Sequence, residues 1–135
     1  IPTEFLEIKL NEKWSIKENI GHLIDLEPLW HERLDDIMKN SKYLRSADLE
    51  NKKTDFAQHN KKDINDLLSQ FQELREITLT KLNELTEQDV YKTALHPRLK
   101  KPMRTMDLFL FVAEHDDHHL ARITEIKTTH NNMHN

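Results

Sequence analysis

Hydrophobic residues recur along this chain at the three-and-four spacing of helices, in three long blocks separated by polar or proline-bearing stretches. In the first block Ile16, Ile20, Leu23, Leu26, Trp30, Leu34 and Ile37 gather into one apolar arc when successive residues are set about 100° apart. Ser15 and Glu18 have the spacing of a capping box, in which a hydroxyl and a carboxylate take up the first free amides of a helix. A helix is predicted over 16–39, with Pro28 opposite the arc as a candidate kink. The second block, 60–85, aligns Ile64, Leu67, Leu68, Phe71, Leu74, Leu82 and Leu85. The third, 103–127, aligns Leu108, Phe111, Val112, His115, His119 and Ile126, flanked by Phe109 and Ile123. Residues 40–59 lack sustained periodicity and predict a long crossover with at most a short helical turn. Pro97 and Pro102 predict a loop over 96–102, and the polar residues after Thr128 predict a frayed tail.

These elements define an all-α fold, and 135 residues suit a single domain spanning the whole chain. Residues 1–14 are too short and irregular to supply a fourth helix of matching length, so the bundle is either three-helical or short of an N-terminal helix. Only one glycine and four prolines are present, too little turn chemistry for a protein built of hairpins. A net charge of −4, with lysine pairs scattered and not clustered, excludes binding to nucleic acid through phosphate neutralisation. No apolar stretch approaches the roughly 18 residues a membrane span needs. With no cysteine, any metal must be held by His, Asp or Glu, and the expected location is the cytoplasm.

His115 and His119 lie four apart at the centre of the third apolar stripe, so their rings leave one helix face a turn apart and can reach a common ion. His130 and His134 share the spacing but sit in the Asn-rich tail with no stripe. Two imidazoles on a buried face need polar partners, since each left unsatisfied costs about 1–3 kcal/mol. A metal is one such partner, and hydrogen bonds within the core are the other; the pair alone leaves both open. Asp116 replaces the glutamate of a zinc-protease H-E-x-x-H motif, which sets that reading aside. His22, at the edge of the first arc, reads by itself as a boundary histidine.

Two stretches resemble the DinB/YfiT-like family: Trp14-Ser15-Ile16-Lys17-Glu18-Asn19-Ile20-Gly21-His22-Leu23 and Ala113-Glu114-His115-Asp116-Asp117-His118-His119-Leu120-Ala121. Their order, and the His96-Pro97-Arg98-Leu99 loop between them, follow the family's layout from Trp14 to about Ile126. The resemblance implies a four-helix bundle, a homodimer, and one divalent ion, zinc or nickel, bound by His22, His115 and His119. It also implies a helix ahead of Trp14, most of which would lie before Ile1. Three neutral imidazoles leave a divalent ion its full charge and an open position, which suits activation of a water or a thiol. The resemblance accordingly implies a metal-dependent hydrolase or a thiol S-transferase acting on a small molecule, with a non-catalytic, metal-stabilised bundle as the competing class.

Two charges interrupt the apolar arcs. Glu27 lies mid-arc in the first helix and Arg75 in the second, which predicts a buried ion pair between them. Trp14 and Trp30 are expected as core aromatics, and His31, His59 and His96 as surface or loop residues. Asp116, Asp117 and His118 are expected to point away from the stripe centre, and Glu114 with the two aspartates are the candidate bases.

Overall fold

The computed structural model describes residues 3–133. Its elements are α1 (Thr3–Leu6), α2 (Ile16–Met38), α3 (Lys52–Ala57), α4 (Ile64–Asn83), a hairpin of β1 (Thr93–Leu95) and β2 (Pro102–Arg104), and α5 (Thr105–Met133). The capping box forms as its spacing predicts. Ser15 Oγ accepts from the Glu18 amide at 3.1 Å, and Glu18 Oε1 accepts from the Ser15 amide at 3.1 Å. From this start α2 continues through Pro28 to Met38.

α2 is the central strut, packed against α4 on one side and α5 on the other. Its two ends bury different clusters. Near the start, Ile16 joins Phe5, Leu6 and Ile126; further along, Trp30, Leu34 and Ile37 join Leu44, Ala94, Leu108 and Val112. The early part of α2 thus meets the late part of α5, so the two helices run antiparallel. His22 is held between the two clusters from one side, and His115 and His119 from the other.

Three boundaries differ from those the periodicity predicts. Asp63 accepts from the Asn65 amide at 2.8 Å and starts α4 at Ile64, so 59–61 form a separate single turn ahead of it. The loop over 96–102 is the tip of a hairpin pairing Thr93 with Arg104 and Leu95 with Pro102. Strands of three residues are too short for alternation to show. The expected frayed tail is instead helical as far as Met133, and the His130 ring stacks on Phe5 with centroids 3.8 Å apart.

The crossover between α2 and α4 is anchored at both ends. Leu44 donates to the Leu95 carbonyl at 2.8 Å, extending the hairpin, and α3 lies along α2. His59, expected at the surface, is 1% exposed, because its ring rests directly on Gly21. A Cβ at position 21 would overlap that ring, so the one glycine of the chain marks a close approach inside a helix. Among the described residues no helix is long and apolar enough to cross a membrane.

Candidate metal centre

Three imidazoles meet where α2 crosses α5. One ring nitrogen from each of His22, His115 and His119 lies within 4.8 Å of the others, and no carboxylate joins this cluster among the described residues. Ring centroids are 4.6 Å apart for His115 and His119, 4.7 Å for His22 and His119, and 5.2 Å for His22 and His115. The i, i+4 spacing on α5 brings His115 and His119 together, whereas His22 arrives from the facing helix.

Hydrogen bonds fix how two of the rings present themselves. The Asn19 amide nitrogen donates to the Ser15 carbonyl at 2.9 Å, which turns its oxygen toward His119 Nδ1 at 2.8 Å. That oxygen can only accept, so His119 carries its proton on Nδ1 and keeps the Nε2 lone pair free. Thr54 Oγ1 donates to Asp25 Oδ2 at 2.8 Å and accepts from His22 Nδ1 at 3.1 Å, leaving Nε2 of His22 equally free. His59 Nε2 donates to the same Asp25 oxygen at 2.8 Å and completes the support. Nδ1 of His115 is buried and has no hydrogen-bond partner. Such an orphan costs about 1–3 kcal/mol unless something fills the gap.

All three rings are held neutral. Burial, followed by the neighbouring His115, pushes His22 down to about 4; burial, followed by His22 and His115, pushes His119 down to about 3. His115 is also lowered, chiefly by burial. Three neutral imidazoles, two with a free Nε2 and one with an unpartnered nitrogen, form a donor set that fits a divalent ion.

Two predictions arise here. Asn19→Ala removes the acceptor that orients His119, and zinc affinity is expected to fall about 10–100-fold with the helical circular dichroism retained. Competition against a chromophoric chelator reads this, and an unchanged affinity would show that the orientation does not matter. The second concerns acid. Unfolded histidine titrates near 6.5, so below that pH the unfolded metal-free chain takes up protons that folded His22 and His119 refuse until about 4 and 3. Stability of the metal-free protein is therefore expected to fall as pH drops from about 6.5 through 4 toward 3. Urea midpoints between pH 7.5 and 4 measure it; a flat profile contradicts the buried neutral rings.

The cluster lies on the wall of an open cavity of about 870 Å³, with Trp14, Leu26, Leu29, Trp30 and Phe111 on its apolar sides. Trp30 is a core aromatic as expected, but Trp14 is half-buried against His22 at 4.6 Å and forms part of the cavity wall. His118 is exposed at the cavity's edge, edge-on to His119. His96 also lines the cavity, its Nδ1 accepting from the amides of Arg98 and Leu99 in the hairpin loop. None of the candidate bases reaches it: Glu114 and Asp117 are exposed, and the acids along the wall are Glu12 and Asp48.

Asp116 does not point to solvent but completes a charge cluster tying all three long helices together. The predicted pair forms, with Arg75 Nη2 donating to Glu27 Oε1 at 2.7 Å; on its other edge Arg75 Nη1 donates to Asp116 Oδ2 at 2.7 Å. Burial works against the guanidinium's charge, but the bonds to Asp116 and Glu27 outweigh it and raise its pKa.

The chain belongs to the DinB superfamily, whose family model matches residues 1–123. Among solved structures it is similar to YfiT from Bacillus subtilis, described as a probable metal-dependent hydrolase with an unusual four-helix bundle topology; identity is 24%, with 97% of this chain and 75% of that one covered, at a TM-score of 0.81. The likeness establishes the fold as that of the YfiT bundle. No curated protein matches the chain significantly.

Proposed function

We propose that this protein is a metal-dependent hydrolase of small organic substrates, with His22, His115 and His119 holding a divalent ion. The observation that carries the reading is the placement of three neutral, convergent imidazoles on the wall of an open cavity. A structural site would be closed by a fourth protein ligand, whereas three histidines facing a cavity leave room for water and substrate. The description of YfiT as a probable metal-dependent hydrolase supports the same class. When bound, the ion supplies Lewis acidity toward a carbonyl and lowers the pKa of a bound nucleophile. The chain's own part is to keep the three rings deprotonated, to orient His119 through Asn19 and His22 through Thr54, and to shield one side of the cluster with Trp14 and Trp30.

A second reading, transfer to a low-molecular-weight thiol, is favoured by the lack of any carboxylate in the histidine cluster. A thiol is acidic enough to lose its proton beside a cation without a dedicated base, whereas water gains more from one. Zinc and nickel both suit imidazole ligands. The deciding experiment compares hydrolysis of a nitrophenyl ester with conjugation of an electrophile to cysteine, each with zinc, with nickel and after chelation. Chelator-sensitive hydrolysis supports the first reading and chelator-sensitive conjugation the second. Neither activity with either metal would defeat both. The reading includes a homodimer, and the exposed Leu68, Leu79 and Leu120 on α4 and α5 offer apolar surface for one. Sedimentation velocity tests it.

A further inference from the structure

One face of α2 looks into the cavity at alternating three- and four-residue steps: Asn19, His22, Leu26, Leu29 and Arg33. The last of these is unusual for a charged residue. Arg33 is 4% exposed, and among the described residues no carboxylate comes within salt-bridge distance of it. Asp36, the acid that most favours its charge, directs its oxygens to the Arg45 amide at 2.9 Å and to Arg45 Nε at 3.3 Å. Arg33 itself uses only Nε, donating to the Arg45 carbonyl at 2.9 Å. Among the described residues neither Nη group has an acceptor, and neither is a fully buried atom, which leaves them available to the cavity that Arg33 lines. A guanidinium withdrawn from water without a counter-ion is expensive, and burial lowers its pKa accordingly. The two free Nη groups form a planar fork that matches a carboxylate or a phosphate group.

The surroundings define the rest of the ligand. Arg33 Cζ lies 5.9 Å from the Trp30 ring centroid, and His115 meets the same ring system edge-on, with centroids 5.8 Å apart. The guanidinium and the histidine cluster are therefore both neighbours of one indole, within reach of a single small molecule. The intervening wall is apolar, made of Leu26, Leu29, Trp30 and Phe111. Of the other cations along the cavity, Arg122 is paired with Glu125, and Lys13 and Arg98 are exposed, so Arg33 is the buried positive fork, whereas a phosphate dianion would call for several.

We propose that Arg33 is a carboxylate anchor. The cavity takes an organic monoanion whose carboxylate sits on the two Nη groups, whose apolar body lies along Trp30, and whose far end reaches the three histidines. This rests on, and narrows, the reading of the cluster as a catalytic centre, because it names the class of substrate that centre would receive.

The test uses 4-phenylbutyrate and its neutral amide, which share shape and differ in charge. Binding is followed by tryptophan fluorescence and calorimetry, first on metal-free protein and then with zinc. The metal-free wild type is expected to bind the acid about tenfold or more tightly than the amide, with a preference that weakens as salt is added. Arg33→Met should erase the preference while leaving amide binding in place; Arg33→Lys, which keeps the charge and can still reach the Arg45 carbonyl, should restore part of it. If Arg33→Met does not fold, the acid-to-amide ratio in wild type and in Arg33→Lys carries the test alone. Equal binding of acid and amide by metal-free wild type overturns the anchor. So does a preference that appears only with zinc, which would place the carboxylate on the ion and leave the metal reading standing. Displacement of the acid by equimolar inorganic phosphate would also overturn the carboxylate assignment. A preference that persists in metal-free protein unable to bind zinc would keep the anchor and defeat the metal reading, so the two failures are distinct.

Discussion

Glu27→Ala is expected to destabilise the metal-free protein by about 3–5 kcal/mol, the largest loss from any single charge in the bundle. The expectation comes from the position of the carboxylate. Glu27 is fully buried, its Oε1 accepts from Arg75 Nη2 and Nε at 2.7 and 3.2 Å, and its Oε2 accepts from Thr78 Oγ1 at 2.6 Å. Removing it leaves a void, a Thr78 hydroxyl with only the Leu74 carbonyl and the His31 ring as partners, and a guanidinium that retains only Asp116. The same geometry predicts that Asp116→Ala costs less, because Asp116 is the more exposed partner and Arg75 would keep Glu27. Replacing both Glu27 and Arg75 by apolar residues of similar volume should recover much of the loss, since no uncompensated charge remains buried. Urea unfolding of the two single variants and the double variant measures this coupling. A Glu27→Ala unfolding free energy within about 1 kcal/mol of wild type would mean that the cluster is not the tie between helices that its geometry indicates.

That cluster shows what periodicity can and cannot reveal. Glu27 and Arg75 are legible because each interrupts an apolar arc on its own helix, and a charge in such a place demands a partner. Asp116 carries no such mark. On a helical wheel it sits off the stripe, and only the fold shows Arg75 reaching across from α4 to it. The three long helices were readable because each repeats its pattern over several turns, with the Ser15–Glu18 box fixing one start. The hairpin strands at 93–95 and 102–104 have no length over which a pattern can repeat.

The supports around the histidines divide in the same way. His115 and His119 are visible from spacing and register on one helix, whereas His22 needed the family resemblance, because its role depends on a contact between helices. Thr54 and His59 lie in the aperiodic crossover, and nothing local marks them as buried. One signal was available. Gly21 stands inside a capped helix, where glycine costs about 1 kcal/mol against alanine, and that cost is explained by the ring of His59 resting on it. Through Asp25 and Thr54 this contact reaches His22, so the position of a glycine bears on the orientation of a site imidazole. Arg33 was hidden for a similar reason. A cation at the edge of an apolar arc reads as one that reaches back to solvent, and only the fold shows it turned into the cavity.

Replacing His119 with alanine should reduce zinc affinity by more than the ~100-fold upper range expected for losing a supporting residue, because the proposed site loses one of its three ligands. Two neutral imidazoles would remain, too few to complete the three-ligand arrangement of an open zinc site. Any activity of the proposed metal centre should fall with metal content. His118→Ala provides the control. It removes an imidazole from the adjacent position on the same helix, yet His118 is exposed and lies outside the three-histidine cluster, so metal content should stay at the wild-type level. Metal-free stability separates loss of a ligand from loss of the fold. His119 is held down to about 3, so its removal should lessen the destabilisation on going from pH 7 to pH 4, even if the cavity it leaves lowers stability at pH 7. Elemental analysis after dialysis, together with urea midpoints at the two pH values, tests the whole argument. Wild-type zinc content in His119→Ala, or loss of zinc in His118→Ala, would show that the metal is held elsewhere.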